Sequence, residues 1–153
     1  MGKNWHAAYK LEKYSDSDLG REPDEVIEFD DNLLMNAGIT ALLTLLIGGG
    51  GTAFSAANGY LGVGNSSAAA AAAQTDLQGA SKTRVIVDSA PSRSSQTLTF
   101  VATFGSAVAN FAWEEVGIFN AGSGGTMLSR RVSSLGTKAS GATWVLTITL
   151  TIS

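Results

Sequence analysis

The chain has no cysteine, a single histidine and only two prolines in 153 residues. Without thiols there are no disulfides and no thiolate metal sites. The lone histidine, His6, excludes a multi-histidine metal site and any Ser-His chemistry that does not use it. Charge is scarce as well. Asp, Glu, Lys and Arg make up 15% of the chain, against roughly 25% in a typical soluble domain. The basic residues are scattered, Arg130-Arg131 is their only adjacent pair, and the net charge is −3. A chain with no basic run has little with which to neutralise phosphates, so no nucleic-acid partner is expected. The longest apolar run, Leu33 to Ile47, is interrupted by Asn36, Thr40 and Thr44. It falls short of the roughly 20 residues that cross a bilayer, so no membrane partner is expected. Met1 to Tyr14 lacks the apolar centre of a signal peptide. Together with the absence of cysteine, this points to synthesis in a cytoplasm.

What is present suits one packed domain. Hydrophobic residues are 44% of the chain, enough for a real core at this length. The sparse charge leaves a surface that is partly neutral and rich in Ser, Thr and Gly, which suits burial against partners.

The second half carries the clearest pattern. In Ser95 to Phe104, Leu98, Phe100, Ala102 and Phe104 alternate with Thr97, Thr99, Val101 and Thr103. In Thr143 to Ile152, Trp144, Leu146, Ile148, Leu150 and Ile152 alternate with threonines and Val145. Period two with threonine opposite large apolar residues predicts half-buried antiparallel strands. Thr83 to Asp88 and Tyr60 to Gly64 read as further strands. Trp113 to Asn120 and Thr126 to Val132 read as a hairpin joined by Ala121-Gly122-Ser123-Gly124-Gly125.

The first half is more mixed. Trp5 to Tyr14 reads as an edge strand or extended arm. Ser15 to Asp24, with Gly20 and Pro23, reads as an acidic loop, and Val26 to Phe29 as a short strand. Asp30 or Asp31 then offers an N-cap for a helix over residues 32–47. Asn32, Asn36, Thr40 and Thr44, four apart, give that helix one narrow polar stripe. Its other positions are apolar or small, so the reading is a helix buried on nearly all sides, inside the domain or under another subunit. Ala68 to Ala73 reads as a short helix ending near Asp76 or as an extended surface segment, the helix being preferred. The predicted architecture is a mainly β, antiparallel β-sandwich (jelly-roll-like or Ig-like) with one long helix. Residues 1–24 form an arm and acidic loop, and residues 25–153 a single domain.

The motifs that could carry chemistry fail on inspection. Gly48 to Gly51 ends a helix instead of starting one and lacks the Gly-Lys-Ser/Thr of a phosphate loop. Gly62-Val63-Gly64 lacks the third glycine of a dinucleotide fingerprint. Asp16, Asp18, Gly20 and Glu22 alternate like calcium ligands, but no bidentate Glu completes the loop. Glu114 and Glu115 are adjacent in a strand, so they point to opposite faces and cannot grip one substrate together. One of them is expected to face solvent or to pair with Arg130 or Arg131 on the neighbouring strand. No catalytic, cofactor-binding or metal-ligating residue is proposed, and no enzyme activity.

Several stretches together resemble small virion structural proteins of tailed bacteriophages. They are Gly59 to Ser66, Gln74 to Leu77, Thr99 to Gly105, Ala109 to Asn120, Met127 to Arg131 and Leu135 to Lys138. The strand and helix around Asp31 to Gly38, and the threonine-alternating final strand, fit the same type. The resemblance spans Val26 to Ser153 and is most specific in Trp113 to Asn120.

It implies a component of the particle, made in the host bacterial cytoplasm and located in the virion. One form is a capsid decoration or cement protein, a homo-oligomer (a trimer) clamping the major capsid protein. The other is a tail, baseplate or fibre-associated module binding tail or baseplate proteins. No catalytic residues come with the resemblance. The interaction candidates are the residues expected to be exposed: Trp5, Tyr9 and Tyr14 of the arm, Phe54 after the glycine loop, and Arg130 and Arg131.

Overall fold

The computed structural model describes residues 4–153; Met1 to Lys3 of the expected arm lie outside the described residues. The elements in chain order are β1 (Trp5–Tyr14), β2 (Glu25–Asp30), β3 (Leu33–Leu34), α1 (Asn36–Leu46), β4 (Tyr60–Gly64), β5 (Lys82–Ile86), β6 (Ser92–Ser94), β7 (Thr97–Phe104), β8 (Ala112–Phe119), β9 (Met127–Thr137) and β10 (Thr143–Ile152). They form two five-stranded antiparallel sheets. Sheet A runs β2-β1-β10-β7-β6 and sheet B runs β3-β9-β8-β4-β5. The two pack face to face as a β-sandwich around one main core.

The period-two strands face as their sequence requires. Phe100, Ala102 and Phe104 of β7 and Trp144, Leu146, Ile148 and Leu150 of β10 are buried between the sheets. Threonines lie on the outer face, where Thr97 and Thr151 hydrogen-bond through their hydroxyls at 2.8 Å. The floor of the core is aromatic. Trp113 meets Phe104 and Trp144 edge-on, with centroids 4.7 and 4.8 Å apart. Such pairs add about 0.5–1.5 kcal/mol each beyond area burial.

Three expectations change. The Trp5 to Tyr14 segment is no arm or edge. It pairs along its whole length with β10 and along most of it with β2, and its Ala7, Tyr9 and Leu11 are core residues. Pairing between the chain's two ends is a long-range fact that local pattern does not carry.

The helix is short, 36–46 instead of 32–47. Leu33 and Leu34 instead pair with Arg130 and Ser129, and Met35 stands at the N-cap with extended backbone and no side-chain cap. Asp31 adopts φ 70° and donates its N–H to the Ala7 carbonyl at 2.9 Å, which turns the chain from sheet A to sheet B. Nor is α1 buried all round: Gly38 is its one buried residue. It rests on β9 so closely that a Cβ at Gly38 would lie 2.5 Å from the Leu128 carbonyl oxygen. The polar stripe survives as Thr40 and Thr44 hydroxyls donating to the carbonyls of Asn36 and Thr40.

Ala68 to Ala73 forms no helix. It belongs to the 65–81 connection between β4 and β5, which crosses the outer face of sheet B as a strap. Leu77 of the strap packs with Met35, Phe119 and Met127 in a second, smaller core there.

Trp144→Ala empties the aromatic floor and is expected to cost about 3–5 kcal/mol, read as a lowered urea midpoint. A near-normal midpoint would show that the ring is not a core residue.

Candidate functional site

Two features of the surface and its supports bear on function: the pair that holds the strap, and the end of the sandwich that carries α1. The pair follows from strand register. A bulge separates Trp113 from Glu115, and a second separates Ile118 from Phe119. These put Trp113, Val116 and Ile118 into the main core, while Glu115 and Phe119 fall on the outer face under the strap. Arg130 lies opposite Gly117 and so shares that face with Glu115. The two form a fully buried ion pair, Arg130 Nε donating to Glu115 Oε2 at 2.7 Å. The carboxylate also accepts the backbone N–H groups of Gln78 and Gly79, at 3.0 and 2.7 Å. The guanidinium donates to the Gln74 side-chain oxygen and the Ala68 carbonyl, at 3.0 and 2.9 Å. Four points of the strap are thus tied to one pair in the sheet. A Cβ at Gly64 would overlap the Glu115 carboxylate, so the glycine there makes room for it.

Farther along the strap, Asp76 pairs with Lys82 and Arg84, each at 2.8 Å. The Arg84 guanidinium lies 3.6 Å from the centre of the Phe119 ring. Burial works against the Asp76 carboxylate, but hydrogen bonds from Lys82, Arg84 and the Leu77 N–H prevail and hold its pKa below the usual value.

The expectation for the two glutamates separates cleanly. Glu115 pairs with Arg130, while Glu114 lies toward solvent, accepting from the Ser134 hydroxyl at 3.1 Å. The acidic loop is closed by Arg21, which donates to both Asp24 oxygens at 2.7 and 2.8 Å and lies 3.4 Å from Asp16. Of the alternating carboxylates, Asp16 meets that cation, and Asp16 and Asp18 accept the backbone N–H groups of Asp18 and Gly20 at 3.0 and 2.9 Å. Among the described residues, no group of three or more His, Asp or Glu is placed to hold a metal.

The interaction candidates divide. Tyr9 is buried, stacked on Phe29 at 4.6 Å, and burial pushes its hydroxyl pKa far up. Tyr14 is buried at the opposite end of β1. Arg130 is fully buried. These three are not exposed contact residues. Trp5 and Phe54 are half-buried and come together, with Leu42, Leu45, Leu98 and Ile152, around an apolar groove of about 440 Å³. Arg131 is half-buried at the β9 edge.

Beside that groove α1 carries apolar residues whose expected cover was either the domain's own interior or another subunit, and within this chain they are uncovered. Leu43, Leu46 and Ile47 are 58%, 80% and 81% exposed, and Leu46 stands one turn from Leu42 on the groove wall. No charged residue occurs from Asn32 to Thr75. That absence was the signal available in the sequence for an uncharged end. The acidic loop lies at the other end of β1, about 30 Å away at the rise of an extended strand. A recess of about 570 Å³ lies in a different place, the outer face of sheet A, where Lys10, Glu28 and Asp30 mix signs with Thr147 and Thr149.

Compared with known protein families, curated proteins and solved structures, the chain matches none.

Glu115→Gln or Arg130→Met leaves a buried partner uncompensated. Each is expected to lower unfolding free energy by about 3–5 kcal/mol, with the paired apolar replacement recovering much of it; chemical denaturation of the singles and the double checks this. Asp76 predicts an acid-side effect. Its folded pKa is depressed, so its contribution is complete above the unfolded value of about 3.9 and is lost as pH falls through the folded value. Asp76→Asn should therefore be less stable than wild type near pH 6 and approach it as the pH is lowered below that range, read as two midpoint-versus-pH curves.

Proposed function

We propose that this chain is a non-enzymatic structural protein of a tailed-bacteriophage particle. In this reading it is a capsid decoration or cement protein that seats its uncharged apolar end against neighbouring copies and the major capsid protein. The observation that carries the reading is the exposed α1 flank, continuous with the Trp5–Phe54 groove. Large apolar patches on a soluble surface mark contact sites, and this one has no charge to penalise burial.

A specific interface takes roughly 800 Å² from each partner. Helix α1 is about 16 Å long at 1.5 Å per residue, so it supplies part of such a face and the groove rim supplies more. A protein that binds the assembled lattice and not loose subunits stabilises the lattice by mass action. The opposite, charged end stays in solvent and keeps the particle surface soluble. Closure of the contact around an axis gives the trimer that the resemblance implies.

Copy number tests the reading. Densitometry of purified particles against the major capsid protein should give hundreds of copies in a simple ratio to the capsid subunit. A few to a few dozen copies, in multiples of three or six, would overturn the head assignment in favour of a tail or baseplate protein.

The α1 face is tested separately. Leu43→Ser combined with Leu46→Ser should leave the thermal midpoint nearly unchanged, because both side chains are exposed, and should abolish co-sedimentation with shells. Full coating by the double variant would remove the helix from the interface.

A further inference from the structure

Helix α1 ends as a projection. Leu46 and Ile47, at its last turn, are 80% and 81% exposed. The glycine loop that follows has open space beside it, since a Cβ at Gly48, Gly50 or Gly51 would meet nothing within 4 Å. Gly38 lies against β9, about 180° round the helix from Ile47 at 3.6 residues per turn. Leu42 and Leu45 face the apolar groove. Leu43 stands about 100° round the helix from Leu42, and Ile47 about 140°. The projecting flank and the groove therefore open in different directions.

The two share one chemistry and match in size. The groove holds about 440 Å³, and Trp5, Phe54, Leu98 and Ile152 line it with no charged residue among them. A cavity of about 150 Å³ takes one benzene-sized group. The groove thus has room for the Leu46 and Ile47 side chains together.

An unrelated partner would have to supply both an apolar projection for the groove and an apolar recess for the flank. A second copy of this chain brings both. Charge points the same way. Copies at net charge −3 repel through their charged surfaces. No charged residue occurs from Asn32 to Thr75, so contact there leaves the acidic 15–24 loops on the far side of each copy. A partner recognised by opposite charge would find none at this end.

We propose that the last turn of α1 in one copy, Leu46 and Ile47, seats in the Trp5–Phe54 groove of a second copy. This rests on the reading of the α1 end as a contact face and does not require the particle assignment. A projection and a recess that face different ways make a head-to-tail contact, which repeats round a closed ring and covers both patches on every copy. Two side chains in one groove fall short of the roughly 800 Å² that each partner gives to a standard interface. The contact is therefore weak in dilute solution and fills when copies are crowded on one scaffold.

Sedimentation equilibrium of the full chain tests this, from dilute solution up to about 1 mM, the effective concentration that linked neighbours reach. Wild type should pass from the mass of one copy to that of a closed ring of three or more. Leu46→Glu with Ile47→Glu charges the projection, and Ala56→Glu with Ala90→Glu charges the groove mouth. All four positions are exposed, so circular dichroism should be unchanged in both variants. Each variant alone should keep the mass of one copy at every concentration. Their equal mixture should form dimers and nothing larger, because one intact projection then meets one intact groove.

Wild type that keeps the mass of one copy at about 1 mM would overturn the second copy as occupant. If that protein still coated shells, the flank and groove would belong to the capsid subunit and the contact-face reading would stand. A wild-type dimer would overturn the head-to-tail ring. A mixture that stays monomeric, or a variant that associates like wild type, would overturn the seating of α1 in the groove.

Discussion

The ion pair between Glu115 and Arg130 is the constraint on which the rest of this structure leans. Sheet B has to be covered on both faces, one by sheet A and the other by a connection with no regular structure. A connection of that kind brings many backbone polar groups against a sheet, where each needs a partner. One carboxylate and one guanidinium supply several at once: two N–H groups, a carbonyl and a side-chain amide. With the strap fixed, Leu77 can reach Phe119 and Met127. The close packing over the sheet then explains the glycines. A Cβ at Gly62 would lie 2.7 Å from the Phe119 ring and one at Gly117 3.0 Å from it. Pairing is what makes this burial tolerable, since a lone charge in the same place would cost several kcal/mol.

The strap also decides what is left uncovered. It closes the outer face of sheet B and reaches the start of α1, where its Ala72 carbonyl accepts the Asn36 N–H at 2.8 Å. It does not cover the far flank of the helix. The molecule is therefore polar end to end. One end carries Leu46, Ile47 and a groove lined by no charged side chain among the described residues; the other carries Asp16, Asp18, Arg21, Glu22 and Asp24. An isolated globular domain gains nothing from keeping leucines in water on a helix that its own sheets could have buried. The arrangement makes sense for a domain whose packing is completed by something else.

Much of the sandwich was legible because strands with one buried face declare it in period two. β7, β10 and the β8–β9 hairpin lie where the alternation of Phe100, Phe104, Trp144 and Leu146 with threonine predicts. What was not legible depends on register or on distant pairing. Arg130 and Arg131 look alike in sequence, yet the bulges in the hairpin send one under the strap and the other toward the β9 edge. The apolar residues at 33–34 read as the first turn of a helix until β9 takes them as a strand. Six alanines, Ala68 to Ala73, favour a helix by propensity, and the hydrogen bonds to Arg130 and Asn36 override it. Of the contact candidates, Trp5 and Phe54 meet at the groove, while Tyr9 and Tyr14 belong to the interior because β1 is a central strand. The fully apolar sides of α1 were visible, but whether they face a sheet or a partner is a question of placement.

The central claim is that the uncharged end is where this chain meets its assembly. Hydrogen exchange measured on the free protein and on purified particles tests it most directly. The account predicts strong added protection across residues 36–58 in the particle, with loop 15–24 exchanging as it does in the free protein. Protection confined to loop 15–24, with α1 exchanging equally in both, would contradict it.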